Sequence, residues 1–277
     1  MHAASAATAP APETRFEFGK NWLRFLGTLD EDRIDIATRS LASLLGRESL
    51  SGASFLDIGS GSGLSSLAAL RLGCTRLHSF DFDPLSVACT QELKRRYARA
   101  AEFWTVEAGN ALDRGYLAGL GTWDVVYSWG VLHHTGALWQ ALDNVAALVR
   151  SGGSLCLAIY NDQGSTSVRW RKIKALYHKS RGARLLVLAT CTSYFVLRGL
   201  AGDLLRLQDP TRRYRQYRRN RGMSVLHDWR DWLGGYPFEV AKPEAVLAFY
   251  RARGFTLERM TTCGGSHGCN EYAFVKQ

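Results

Sequence analysis

The stretch FLDIGSGSGLSSL, residues 55–67, constrains this chain more than any other. An apolar run ends on Asp57, and glycines follow at every second position: Gly59, Gly61 and Gly63. A small-residue helix pattern comes next. Such a turn carries no side chain at every second position, so a ligand can approach the backbone closely. A dinucleotide fingerprint, G-x-G-x-x-G, would require glycine at position 64, where this chain has Leu64. Asp57 at the loop entrance would repel a phosphate. It favours a ligand with a cationic end.

The segments around the loop alternate. Strands are predicted at 54–59, 76–82, 103–108, 123–129 and 152–160, with helices after the loop, from Pro84 to about Arg99, and over 137–149. Pro84 suits a first helical turn. This order predicts an α/β fold: a parallel, Rossmann-like sheet with helices on both faces. Two helices are predicted within residues 16–46. A helix over 243–254, closed by Gly254, precedes two strands, 255–262 and 271–276, joined by a Gly-rich connection that suggests a hairpin. The expected organisation is a disordered tail at 1–14, a helical cover at 15–50, a core at 51–160, a basic helical insert at 161–236 and a closing helix and hairpin at 237–277.

These motifs, in this order, resemble those of the class I S-adenosylmethionine-dependent methyltransferases, over about residues 53–160 and 242–277. Their cofactor carries an ammonium and a sulfonium but no phosphate, which suits an acid before the loop. The resemblance implies their seven-stranded sheet. It implies that Asp57, Gly59, Ser60, Gly61 and Gly63 cradle the cofactor. Asp81 would accept both ribose hydroxyls, a task for a bidentate carboxylate, with Phe82 beside it. Asn110 and Ala111 fall where the family contacts adenine. WDVVYSWGVLHHT (123–135) resembles the fourth motif and places Ser128 and Trp129 at the pocket mouth. S-Adenosylhomocysteine would be the product.

Methyl transfer asks a protein to position and desolvate a nucleophile and to take its proton where needed. His133 and His134 follow the fourth strand and are candidate bases. Tyr160 and Asp162 end the fifth strand beside the same cleft, the first as a substrate contact and the second as a catalytic candidate. SVLHDW followed by KPEAV is similar to a stretch of the ubiquinone-biosynthesis O-methyltransferases, which act on polyprenyl phenols and catechols. It makes His227 a third candidate base, oriented by Asp228, with Trp229 as a substrate contact. Trp22, in the aromatic N-terminal segment, is expected to cover the cleft. Two departures matter. Leu132-His133-His134 replaces the Leu-Glu-His of those relatives, leaving any divalent-metal role without its Glu. The added GGYPFE points to a sister group with another acceptor. Cys263, His267 and Cys269 offer three potential ligands without a fourth, so no metal site is expected.

Charge is concentrated. The net charge is +10, yet residues 165–221 alone carry fifteen Lys/Arg against Asp203 and Asp209, leaving the remainder slightly acidic. A nucleic-acid footprint spread over the protein is not the pattern. Within this segment, residues 185–197 hold no charge between Arg184 and Arg198. Thirteen residues fall short of the roughly 20 a membrane-spanning helix needs. Peripheral contact with an anionic membrane through 165–221 is the expectation, beside a plain lid. The cysteines at 74, 89, 156 and 191 sit in apolar runs, and the N-terminus lacks a basic region followed by an apolar core. Both suit a reduced, cytoplasmic setting. The expected function is methyl transfer from S-adenosylmethionine to a small molecule, at the oxygen of a phenolic or hydroxylated acceptor. A nitrogen or carbon acceptor in a natural product or glycan is the alternative, as is RNA held by the basic insert.

Overall fold

A seven-stranded sheet organises the chain, in a computed structural model that describes residues 18–206, 208–210, 229, 232–264 and 268–277. The strands are β1 (Ser54–Ile58), β2 (Arg76–Asp81), β3 (Trp104–Ala108), β4 (Trp123–Trp129), β5 (Val149–Tyr160), β6 (Phe255–Thr261) and β7 (Cys269–Lys276). Their order is β3-β2-β1-β4-β5-β7-β6. The first five run parallel, and β7 enters antiparallel between β5 and β6. Chain order reverses beside β1, which pairs with both β2 and β4. Ligands of open α/β sheets bind at such a switch point, outside the carboxyl ends of the strands.

Alternation along β1 divides its side chains between two cores. Leu56 and Ile58 join Val126, Leu142, Tyr250 and Phe274 on one face. Phe55 joins Leu67, Leu93, Trp104 and Val125 on the other. The helices α1 (Gly19–Leu26), α2 (Glu31–Leu45), α3 (Leu64–Arg71), α4 (Pro84–Tyr97), α5 (Arg114–Leu120), α6 (Leu138–Ala147) and α9 (Pro243–Arg251) flank the sheet. Their ends follow local rules. Asp30 caps α2 and Gly46 ends it in the left-handed region; Asp83 caps α4, with Pro84 in its first turn. Helix α5 is absent from the sequence reading. Its RGYLAGL carries two glycines and has low intrinsic propensity, but Asp113 caps it and Leu117 is buried. Strand β5 begins three residues before the predicted start, at Val149, where it pairs with Trp123. Cys74, Cys89 and Cys156 are buried and unbonded, and Cys191 is half-buried.

Two compact units form. One contains the described residues up to Gln163 together with Glu239–Gln277, and hence the sheet; the other is drawn from Gly164–Phe238. The second unit holds α7 (Ser165–Lys179) and α8 (Arg181–Leu205). Tyr177, Val187 and Leu233 form its core, with Trp170, Phe195 and Trp232 packed against them. Here the structure corrects the sequence reading. The uncharged run does not stop at its arginines: the helix continues through Arg184 and Arg198 for 25 residues, long and apolar enough by length and composition to cross a membrane.

Lys174 of α7 is fully buried. Its ammonium donates to the Trp232 carbonyl and lies 4.5 Å from the Trp232 ring centroid and 4.7 Å from that of Phe238. Burial pushes its pKa down to about 7. Between pH 7 and the ordinary lysine value the unfolded chain holds a proton that the folded unit does not, so stability must rise with pH over that window. Thermal melts followed by tryptophan fluorescence will show this rise in the wild type and a flatter profile in Lys174→Met. Equal slopes would mean that Lys174 stays charged when folded.

Candidate functional site

The loop after β1 has the backbone its glycines demand. Gly59, Gly61 and Gly63 all adopt positive φ, at 78°, 55° and 79°. Space is limiting as well. A methyl group on Gly59 would meet the Val131 side chain at 2.4 Å, and one on Gly63 would meet Thr90 Cγ2 at 2.9 Å. One on Gly61 would lie 3.0 Å from the Trp22 indole nitrogen, so α1 covers the loop. The start of α1 is held by Asp83, whose carboxylate accepts from Gly19 N at 2.8 Å and from Leu85 N at 2.9 Å.

Beneath the loop sits Asp57, 2% exposed. Ser66 of α3 donates to its carboxylate at 2.5 Å. Ser66 and Ser79 oxygens lie 2.7 Å apart, and the Trp104 indole donates to Ser79 at 2.8 Å. An indole N–H only donates. Because Ser66 gives its one hydroxyl proton to the Asp57 carboxylate, it accepts from Ser79, whose oxygen in turn accepts from the indole. This directed chain crosses from β3 to β1 and favours the ionised carboxylate. Burial outweighs it: Asp57 is pushed up to about 7, with the charge of nearby Asp81 adding to the rise.

Asp81 closes β2. Its two oxygens accept from Gly61 N and Asp83 N, each at 2.9 Å. Burial raises it to about 6, against the pull of those backbone donors. Each oxygen keeps a second lone pair. Ser60 is buried and bonded to Thr90 at 3.0 Å. Phe82 is exposed.

After β3, Asn110 accepts from Leu112 N at 2.9 Å and so folds its own loop. The Ala111 carbonyl is gripped by Asn144 of α6, whose oxygen in turn accepts from Arg114, both at 2.9 Å. Asn144 was missed in the sequence because nothing in α6 distinguishes it from a surface amide. Ser128 is fully buried and donates to the Ile58 carbonyl at 3.0 Å, tying the ends of β1 and β4. Trp129 is exposed and donates to Glu271 at 3.1 Å.

A short 3-10 turn, Leu132–His134, follows β4 and separates the two histidines. His133 is fully buried, with its ring 3.9 Å from that of Tyr160 and its Nδ1 3.4 Å from the Tyr160 backbone N–H. His134 is half-buried. Its ring lies 4.5 Å from His133, 5.5 Å from Tyr160 and 5.2 Å from Phe18. Burial holds the Tyr160 hydroxyl well above its ordinary value. Glu239 clamps this turn. Its N–H donates to the His133 carbonyl at 3.0 Å, and its carboxylate accepts from Leu138 N at 3.1 Å, at the start of α6. Glu239 belongs to the added GGYPFE stretch, where only its unusual presence hinted at a role.

Asp162 follows β5, with its N–H on the Ala241 carbonyl at 3.2 Å. Asn270 joins the same edge, donating to Asn161 at 3.0 Å and accepting from Cys263 N at 3.1 Å. Trp229 belongs to the second unit and packs 5.3 Å from Phe195. His227, Asp228 and His267 lie outside the described residues, and among those described no cluster of metal ligands occurs. The loop, Asp81, Asn110, Trp129, His134, Tyr160 and Asp162 thus share one edge, at the carboxyl ends of the parallel strands. A buried carboxylate, a half-buried one and a glycine-rich turn suit a ligand with cationic and hydroxyl groups.

A buried acid of this kind weakens the fold as it ionises. Because the native state holds the Asp57 proton to about pH 7, stability of the ligand-free protein should fall as pH rises from about 4 to 7 and level off above. Asp57→Asn is expected to flatten the upper part of that fall and to be the more stable form at pH 8, by on the order of 2 kcal/mol. Denaturant titrations across this range test the claim, and an unchanged slope in the variant would refute it.

Residues 56–155 match a family model described as a methyltransferase domain. Over 67 residues the chain is 40% identical to the ribosomal protein L11 methyltransferase of Xanthomonas campestris pv. campestris, covering 24% of this chain and 22% of that protein. It is 33% identical over 123 residues to the protein of the same name from Xanthomonas axonopodis pv. citri, covering 44% of this chain and 37% of the other. The chain thus spans well under half the length of these curated relatives. Magnesium protoporphyrin IX methyltransferase from Synechocystis PCC 6803, solved with bound SAH, is similar at a TM-score of 0.52 and 16% identity, over 93% of this chain and 94% of that one. An O-methyltransferase family protein from Burkholderia thailandensis is similar at a TM-score of 0.54 and 13% identity, over 94% and 58%. Residues 56–155 thus match a methyltransferase domain, and the seven-stranded sheet shares its fold with these solved methyltransferases.

Proposed function

We propose that this chain transfers a methyl group from S-adenosylmethionine to the hydroxyl of a phenolic small molecule. One observation carries the proposal: a buried carboxylate, Asp57, and a half-buried one, Asp81, support a glycine-rich loop on the same strand edge that presents a half-buried histidine. The backbone of Gly59–Gly63, Asp81, and the Asn110–Ala111 turn would hold the cofactor. When bound, it supplies a methyl group made electrophilic by the sulfonium. Asp81 keeps lone pairs for two hydroxyl donors, while Gly61 and Asp83 fix its plane. Asp57 and Asp81 together give the loop a negative field that favours a cationic ligand.

The histidines take different roles. His134 retains exposure and is the proton acceptor for the substrate hydroxyl. His133, fully buried against Tyr160, positions the turn that carries it. Phe18 and Tyr160 flank His134 with aromatic surface suited to a phenol ring. Resemblance of the His227–Asp228–Trp229 stretch to polyprenyl-phenol methylases supports the same acceptor class.

Cofactor binding is expected to release protons near pH 6.5. Hydroxyl donors and a cation stabilise ionised carboxylates, lowering values that now stand at about 6 and 7. Calorimetry with S-adenosylmethionine in buffers of different ionisation enthalpy will therefore show proton release, and affinity rising from pH 5.5 to 7.5. Asp81→Ala should weaken binding at least about tenfold. Proton-neutral binding, or full affinity in that variant, contradicts the assignment.

Transfer of labelled methyl to catechol and to a polyprenyl phenol tests the base. His134→Ala should lower kcat by about 100-fold with cofactor affinity kept, and at saturating cofactor should abolish the fall in kcat on the acid side. A variant with wild-type rate and an intact acid limb would exclude His134.

A further inference from the structure

One surface of the second unit is unaccounted for by methyl transfer. Helix α8 buries Val187 and Gly199 and packs Phe195 against the α7 side. At 100° per residue, positions 185, 186, 189, 193, 196, 197, 200 and 204 fall on one arc of about 120°. These are Leu, Leu, Ala, Ser, Val, Leu, Leu and Leu. The leucines are open to solvent: Leu185 is 68% exposed, Leu197 63% and Leu204 58%. Asp203 shares the azimuth of Leu185 but is buried, so the exposed residues of the arc are uncharged over a helix of about 37 Å. A contiguous aliphatic stripe of that length marks a surface made to be covered.

The surrounding charge identifies the cover. Over residues 165–206 the chain has nine Lys/Arg and a single acid, Asp203. Arg181, Arg184 and Arg198 of α8, and Arg169, Lys172 and Lys179 of α7, are exposed. On the helical wheel the three α8 arginines lie off the aliphatic arc, on the opposite side and flank. An aliphatic face backed by arginines is the pattern of a helix lying in a bilayer interface. A second copy of this unit carries the same net positive charge and is repelled by it at long range, whereas an anionic surface is attracted. Insertion across the bilayer is disfavoured for the same helix pair, since α7 carries Arg169, Arg171, Lys172 and Lys179 alongside α8.

We propose that the exposed face of α8 docks on an anionic lipid surface, with its leucines among the acyl chains, Arg181 beside the arc at the headgroups, and the net positive charge of the α7–α8 pair drawing it to the surface. This docking is independent of the acceptor and of turnover, so it stands or falls apart from the catalytic reading.

The test is flotation of the full-length protein with vesicles of phosphatidylcholine, with and without phosphatidylglycerol. The expected result is partition onto the anionic vesicles, weakening as salt increases. Leu197→Glu combined with Leu200→Glu, both on exposed positions, should reduce the bound fraction about tenfold or more. Unchanged circular dichroism and unchanged S-adenosylhomocysteine binding confirm that the variant is folded. Three results would overturn the proposal: no partition of the wild type onto anionic vesicles, equal partition onto neutral ones, or undiminished binding of the leucine variant. A concentration-dependent dimer in sedimentation velocity that the same substitutions dissolve would also overturn it, by assigning the face to self-association.

Discussion

A carboxylate kept out of water beneath a glycine-rich turn is the constraint to which the sheet-bearing unit is fitted. Burying Asp57 is unfavourable in isolation, since its charged form loses hydration. The surroundings offset part of that cost with a hydroxyl from α3, a second from β2 and an indole from β3. Those donors pin α3 to the sheet. The pinned helix sets the glycine loop, and the loop in turn donates a backbone N–H to Asp81. Acid, loop and second acid are thereby placed by one set of contacts.

The opposite half of the edge is built by a different means. Between β4 and α6 the chain has eight residues, 130–137, and no carboxylate, lysine or arginine to anchor them. Glu239 supplies the anchor from the far end of the sequence, holding the carbonyl of His133 and the first turn of α6 together. Asn270 does the same for the exit of β5, joining it to the β6–β7 connection. The C-terminal segment thus closes the sheet and also fixes the two turns nearest the proposed acceptor.

Much of this was legible in the sequence because strand periodicity and glycine spacing are local signals. The five parallel strands, the glycine loop, the acid ending β2 and the terminal hairpin all follow from runs shorter than ten residues. What escaped depends on distant partners. Helix α5 has weak propensity and forms because Asp113 caps it and Leu117 finds a core. The length of α8 was underestimated by treating Arg184 and Arg198 as ends. Arg184 instead lies over the Tyr177 ring at 5.2 Å, so a charge continues the helix rather than stopping it. His133 and His134 are alike as letters, and only the 3-10 turn makes one buried and the other reachable. Ser128 reads as a pocket residue, yet its hydroxyl is spent on Ile58.

The donor chain from Trp104 through Ser79 and Ser66 to Asp57 has a consequence for how such a chain can change over time. Each member is oriented by the one before it, so none can be replaced singly without leaving a buried polar atom unmatched. A phenylalanine at position 104 would free Ser79 to turn, and a valine at 79 would leave Ser66 one donor short. The four positions, drawn from three strands and a helix, are therefore expected to drift together or not at all, as a single heritable character dispersed over 48 residues of sequence.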